Sequence, residues 1–325
     1  MAKRDIEEII GKLSRLREGP VTESTRGALG KALGDRVNLV AARAAQVTAE
    51  LRVKEQIPDL LAAFDRLFRN GGENDPQCWG KNAIAKALTD LDYDESTPFL
   101  RGYRYVQMES VYGGRADTAV TLRSLCTLAL VQCADLPRAD KMRALIYAVN
   151  DCAETVRVDA LRAIEQMDGE EAALLLRLKA GMGDQRATVV GQAIESLVRV
   201  EGAKAVEFAR DFLKVGPWSE EFVEEAALAL GASRLPEAVR ALQDAWAVEP
   251  RVVFLQAISS SRQESGFRFL LELIRSGRER DAVAAIEVLA MHRESAELRT
   301  AAAKAVEIRG DRELAARLRQ KFGGD

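Results

Sequence analysis

Imidazole and thiol chemistry has little to work with in this 325-residue chain. Its one histidine, His292, leaves no second ring for a metal pair or a proton relay, and no Ser-His-Asp constellation can be assembled around it. His292 follows Met291 in the charged stretch MHRES and reads as a solvated residue near a helix end. Four cysteines (Cys78, Cys126, Cys133, Cys152) lack CxxC spacing. Cys126 and Cys133 fall on one helical face, as reduced core residues do. Gly113-Gly114 is followed by Arg115-Ala116-Asp117 and not by the Lys-Ser/Thr of a phosphate loop. No catalytic, cofactor-binding or metal-ligating residue is expected.

What remains is the chemistry of recognition. All five tyrosines (Tyr93, Tyr103, Tyr105, Tyr112, Tyr147) cluster in one region, with Trp79 and Phe99 nearby. Within Phe99–Asp117, a helix with Phe99, Leu100, Tyr103 and Val106 on its buried stripe would throw Arg101, Arg104, Tyr105 and Met108 outward before an unusually long loop carrying Tyr112. Exposed Tyr, Arg and Met are the types enriched at interaction hot spots. The competing explanation, that larger side chains fill a wider structural unit, is the stronger on sequence alone. A second feature is an arginine on each of seven putative second helices: Arg66, Arg104, Arg143, Arg177, Arg210, Arg240 and Arg268. On one face they would make a cationic ladder, with Arg177 above Arg210, suited to carboxylates or phosphates. Asp65, Glu207, Asp211, Asp244 and Glu272 are interleaved with them, so a neutralised, solvated face is the stronger reading.

These side chains ride on a periodic scaffold. A small-residue helical step recurs at Ala44, Ala83, Ser124, Ala160, Ala193, Ala226, Ala257 and Ala285, at gaps of about 28 to 41 residues, near the range of stacked helix-pair repeats. The spacing predicts helices over Thr155–Met167, from about Gly169 with Leu174, Leu175, Leu178 and Ala180, from Ala187, from Lys204 and from Ser219. Ser219 would cap a first turn carrying Glu220 and Glu221, with Trp218 and Val223 as a hydrophobic staple. Pro58, Pro98 and Pro236 sit where first turns should begin, and strand signals are weak throughout. Ile6, Ile9, Ile10, Leu13 and Leu16 form the apolar face of an N-terminal lid helix; Leu314 and Leu318 mark a closing helix.

Hydrophobic residues make up 47% of the chain and aromatics only 6%, which suits closely packed helices. The net charge of −3 gives no drive toward nucleic acid or anionic lipid. Residues 150–250 hold 11 basic against 19 acidic side chains and would repel a polyanion laid along them. Met1 leads directly into charged residues, so no secretory signal is expected. The longest uncharged run, Ser124 to Ala134, is far short of the ~20 residues a membrane span needs. A cytoplasmic location is expected.

The pattern V-R-x-x-A-L-x-A-I at Val156–Ile164, followed by V-V-x-Q-A-I-x-S-L at Val189–Leu197, resembles HEAT-type repeats, particularly the short bacterial HEAT-like or PBS-lyase-type kind. The resemblance implies an all-α fold: a right-handed α-solenoid of about eight stacked helix pairs spanning 1–325, with capping helices at 1–30 and 293–325 and repeats over 31–292. It also implies that first helices line the convex side and second helices the concave side. The expected function is a non-enzymatic scaffold or adaptor holding another protein or peptide. Arg101, Arg104, Tyr105, Tyr112, Arg143, Arg177, Arg210 and Arg240 are the candidate contacts, with no cofactor, no membrane and nucleic acid disfavoured. Phycobilin-lyase-like or DNA-glycosylase-like activity is the alternative, the latter drawing on Trp79, Tyr105 and Asp117; self-association is a third option.

Overall fold

A computed structural model describes residues 6–214, 216 and 218–323. The described chain is helical with a single two-stranded sheet, and it divides into two compact units, Met1–Met167 and Asp168–Asp325.

The first unit contains α1 (Ile6–Arg15), α2 (Glu23–Leu33), α3 (Asn38–Glu50), α4 (Ile57–Phe68), α5 (Gly71–Asn74), α6 (Trp79–Asp90), α7 (Thr97–Gly102), β1 (Met108–Val111), β2 (Gly114–Asp117), α8 (Val120–Ala129), α9 (Arg138–Ala148) and α10 (Glu154–Met167). α3, α6, α8 and α10 pack each on the next, while α2, α4, α7 and α9 lie against them. The lid helix α1 docks on α3 through Leu13, the one residue of its apolar face that is fully buried.

The second unit contains α11 (Gly169–Met182), α12 (Ala187–Glu201), α13 (Ala203–Ala209), α14 (Glu220–Ala232), α15 (Pro236–Val248), α16 (Val252–Ser260), α17 (Glu264–Ser276), α18 (Glu279–Leu289), α19 (Ala296–Arg309) and α20 (Arg312–Phe322). α12, α14, α16, α18 and α20 form one file and α13, α15, α17 and α19 a second. All eight small-residue steps read from the sequence fall on α3, α6, α8, α10, α12, α14, α16 and α18. Seven are buried and Ala83 is partly so, because side chains this small let one helix backbone approach the next. At Gly231 on α14 the approach is tight: a Cβ there would stand 2.5 Å from the Ala257 carbonyl oxygen of α16.

Two local devices recur. Aspartates precede helix starts along the described chain, Asp311 before α20 among them. Asp35, Asp117, Asp151 and Asp184 accept from the backbone N–H two residues on, and Asp75 reaches further, to Gly80 and Lys81. Each satisfies donors that a helix start would otherwise leave orphaned. At the other end, α3, α6, α14 and α16 stop at a non-glycine residue of left-handed conformation: Arg52, Asp92, Arg234 and Arg262. Such a residue costs roughly 1 kcal/mol or more. Part of that is offset where successive turns bond, as in the 2.9 Å pair between Arg52 and Asp92. Ser219 caps α14 as expected, accepting from Phe222 N–H, and Pro58, Pro98 and Pro236 lie in first turns.

The structure corrects several expectations. α7 ends at Gly102, so Val106 is exposed and not in a buried stripe, and Tyr105 is half-buried and not outward. The segment read as a long loop is a β-hairpin. α11 buries Ala172, Ala173, Leu176 and Ala180, which leaves Leu174 and Leu178 exposed. His292 is not simply solvated: its Nε2 lies 3.1 Å from Ser259 O and from Ser259 Oγ, and its ring meets Phe267 edge-on. Cys78, Cys126 and Cys133 are buried, but Cys152 is exposed.

Gly231→Ala should lower the stability of the second unit by about 1–3 kcal/mol, the range for overpacking a close contact. Urea unfolding followed by circular dichroism reads this directly; a loss within error would mean that α14 and α16 are free to separate.

Candidate interaction site

Between α4 and α6 the backbone takes an expensive course. Asn70, Gln77 and Cys78 all adopt left-handed conformations without being glycine, and α5 lasts only four residues. The segment closes around Asp75, which is fully buried. Its Oδ1 accepts from Gly80 N–H and Asn38 Nδ2, each at 2.8 Å, and its Oδ2 accepts from Lys81 N–H at 2.9 Å. Asp75 thus caps α6 from four residues before its start. The Lys81 ammonium, also fully buried, lies 3.0 Å from Asp75 Oδ2 and donates to Leu67 O at 3.2 Å. The rings of Phe68 and Tyr105 flank it, with centroids at 5.5 and 5.4 Å. Burying each ion costs several kcal/mol, which only a complete set of partners offsets.

The hairpin stands on this core. Met108 pairs with Asp117 and Val111 with Gly114, leaving Tyr112-Gly113 as the turn. Gly113 has φ +88, a left-handed value that favours glycine there. On β1, one oxygen of Glu109 accepts from Gln77 N–H at 2.8 Å and from Gln107 Nε2 and Thr118 Oγ1, both at 2.6 Å. Gln107 Nε2 also donates to Asp75 O at 2.9 Å, and Tyr105 Oη donates to Gln107 Oε1 at 2.9 Å. A side chain at Gly71 would overlap that tyrosine hydroxyl. On β2, Asp117 accepts from the buried Arg123 at 2.6 Å, and Arg123 reaches Tyr105 O at 2.9 Å and grips Asp151 with two donors, at 2.7 and 3.0 Å. Each strand is therefore tied to the core by a carboxylate.

Burial alone would raise the pKa of Glu109, but hydrogen bonds from Thr118, Gln107 and Gln77 outweigh it and hold the group below its ordinary value. Asp117 behaves likewise: burial is outweighed by the bonds from Ala119 N–H, Arg123 and Gln107 N–H. Burial pushes the Cys78 thiol up to about 11, against the influence of Lys81 and Thr118, so it stays protonated near neutrality.

The outer side carries the opposite character. Of the five charged side chains in 97–117, the two carboxylates turn inward and Arg101, Arg104 and Arg115 are exposed. Val106, Met108, Val111 and Trp79 are about half exposed, and Tyr112 at the turn is fully so. Arg101 pairs with Asp65 and lies over the Phe68 ring at 4.2 Å; Arg115 donates to Met108 O at 3.0 Å. Arg104 is stacked on Tyr147 at 3.7 Å and on Tyr103 at 5.1 Å and has no oxygen partner among the described residues.

The other six ladder arginines are engaged. Arg66 donates to Leu33 O and Asp35 O; Arg143 pairs with Asp140, Arg177 with Glu201, Arg210 with Asp244, Arg240 with Glu237 and Arg268 with Glu264. Arg177 and Arg210 thus bind carboxylates of their own. Asp117, imagined as one member of a glycosylase-like cluster, is consumed by Arg123 and two backbone donors. Sequence reasoning missed Asp75, Lys81, Gln107, Arg123 and Asp151. A signal existed: Lys81 leads the apolar stripe Ile84, Ala85, Leu88 of α6, and Arg123 sits beside Leu122 and Cys126 of α8, both charges on buried faces.

No protein-family model and no curated protein matches the chain. One similar solved structure is human deoxyhypusine hydroxylase in complex with glycerol, 20% identical over 80% of this chain and 90% of that chain, with a TM-score of 0.30. That neighbour is an enzyme, and the expectation that this chain is not one is withdrawn on that finding. At so low a TM-score nothing of the enzyme's chemistry is carried to this chain. Among the described residues no helix is long and apolar enough to cross a membrane.

Lys81→Met leaves Asp75 buried with its backbone and amide donors but no cation, and should cost the first unit about 3–5 kcal/mol, the range for breaking a buried pair. Urea unfolding with hydrogen exchange should show the loss in α6 and the hairpin while α12–α18 keep their protection. Acid offers a second check. Glu109 and Asp117 have depressed folded pKa values, so their contribution is complete above the ordinary carboxylate value of about 4 and fades as pH falls through the lower folded values. Hairpin amide protection should therefore drop below about pH 4; protection that is flat down to pH 2 would mean that the carboxylates do not tie the strands.

Proposed function

We propose that the chain is a protein-capture module built as a right-handed α-solenoid of HEAT-like helix pairs, with the hairpin and its arginine-rich flank as the recognition element. The repeat reading is supported by the eight small-residue steps, the aspartates before helix starts and the left-handed turns. The chain is expected to hold another protein or peptide.

One observation carries the capture reading: Tyr112 is fully exposed at the tip of a hairpin whose base is fixed by buried charges. Exposing a tyrosine with Met108 and Val111 gains nothing in the free chain. An anchor held rigid before binding loses little conformational entropy on docking, so more of its contact energy appears as affinity.

A photo-crosslinking residue placed at 112 should trap one dominant partner in cells, and the same residue at Val248, exposed in the second unit, should not. Tyr112→Ala should weaken the purified complex about 10-fold or more, as hot-spot truncations do, with the melting temperature unchanged. Equal adducts at both positions, or unaltered affinity, would remove the hairpin from recognition.

A further inference from the structure

We infer that Arg104, stacked on Tyr147 and Tyr103, is a receptor for a side-chain carboxylate on an acidic segment of the captured protein. This rests on the protein-capture reading and names the chemistry of the partner.

The argument begins with an exception. The other six arginines read with it have an oxygen partner within the chain, whereas Arg104, which the structure places past the end of α7 and not on a second helix, has two aromatic rings and none among the described residues. The rings are held by separate elements: Tyr147 by α9, Tyr103 at the end of α7. They meet edge to face at 6.0 Å. Tyr103 is nearly buried and Tyr147 half exposed, so the stack has a fixed floor and an open top. A ring covers one face of the guanidinium and strips its water, while the N–H donors around its edge stay available.

An arginine in that state suits a planar carboxylate taken with two parallel hydrogen bonds. Nearby acids do not compete: Asp65 is paired with Arg101, Asp140 with Arg143, and Glu109 and Asp117 face inward. The exposed charge of the 97–117 segment is entirely positive, which complements an acidic partner. One unpaired guanidinium matches a monoanion; phosphorylated ligands are usually met by arginine clusters. An isolated surface pair would be worth little, because two flexible side chains must be ordered to make it. Here the stack has already ordered one of them.

The test uses the full chain and fluorescein-labelled 12-residue peptides with amidated C-termini, read by fluorescence anisotropy. One peptide alternates Glu with Leu, a second replaces each Glu by Gln, and a third replaces each Glu by phosphoserine. The Glu peptide should bind about 10-fold tighter than the Gln peptide, as expected for a charge-assisted bidentate contact, and the difference should shrink with salt. Arg104→Gln should abolish that preference, Arg104→Lys should keep only part of it, and Tyr147→Leu should weaken it. Melting should be unchanged in Arg104→Gln because the side chain is exposed.

Equal binding of Glu and Gln peptides, no binding of the Glu peptide at millimolar concentration, or undiminished preference in Arg104→Gln would overturn the inference. Binding of the phosphoserine peptide alone would overturn it in favour of a phosphate reader. If the partner trapped through position 112 is still held by Arg104→Gln but lost from Tyr112→Ala, capture stands and the carboxylate receptor falls.

Discussion

Lys81 and Asp75 are both withdrawn from water, and neither charge is tolerable there without the other. At the start of a helix the dipole repels a cation, so Lys81 in the first turn of α6 is doubly misplaced until a carboxylate arrives. Asp75 answers both problems at once, capping the helix and neutralising the ammonium. To bring it there, the chain accepts three left-handed residues and a four-residue helix. Arg123, one turn into α8, repeats the solution with Asp117 and Asp151, each of which also accepts from a backbone N–H at a helix start.

These buried pairs differ in kind from the second-helix ladder. Arg143 with Asp140, Arg240 with Glu237 and Arg268 with Glu264 are exposed pairs one turn apart on their own helices. Pairs of that type contribute about 0.3–0.5 kcal/mol and are screened by salt. They keep the surface neutral and fix nothing. The Asp75–Lys81 pair is fully withdrawn from water and the Arg123–Asp117–Asp151 group largely so, and their geometry is imposed on the backbone around them.

The regular part of the fold was legible in the sequence because helices announce themselves locally. Small residues at the contact, prolines in first turns and the Ser219 cap each act within a few positions of the feature they create. The hairpin was not legible. Its strands, MESV and GRAD, do not alternate polar and apolar residues, because neither face joins a hydrophobic core. Its stability comes from Glu109 and Asp117 bonding residues such as Gln77 and Arg123, contacts that no local pattern encodes. Tyr105 was misplaced for the same reason: its hydroxyl is drawn inward by Gln107, beyond the point where α7 ends. The eight candidate contacts separate accordingly. Tyr112 and Arg104 are exposed and without an oxygen partner among the described residues, Arg101 is exposed but paired with Asp65, Tyr105 is an internal prop, and Arg143, Arg177, Arg210 and Arg240 are neutralised.

The two widest gaps between small-residue steps, Ala44 to Ala83 and Ala83 to Ser124, hold the 70–78 segment and the hairpin respectively. Neither insertion is stable alone. The first contains strained backbone and the buried Asp75, whose cation Lys81 lies on α6; the second is a ribbon of two four-residue strands, a length that is marginal in water. They become one structure because Glu109 bonds Gln77 and Gln107 bonds Asp75 across 32 positions of sequence in each case. Phe99 and Tyr103 are buried within this wider unit, while Tyr112 is exposed at the turn of the hairpin. Removing the ribbon would take Glu109 from the Gln77 N–H and Asp117 from Arg123, so its two carboxylates serve backbone and charge that the fold must satisfy in any case.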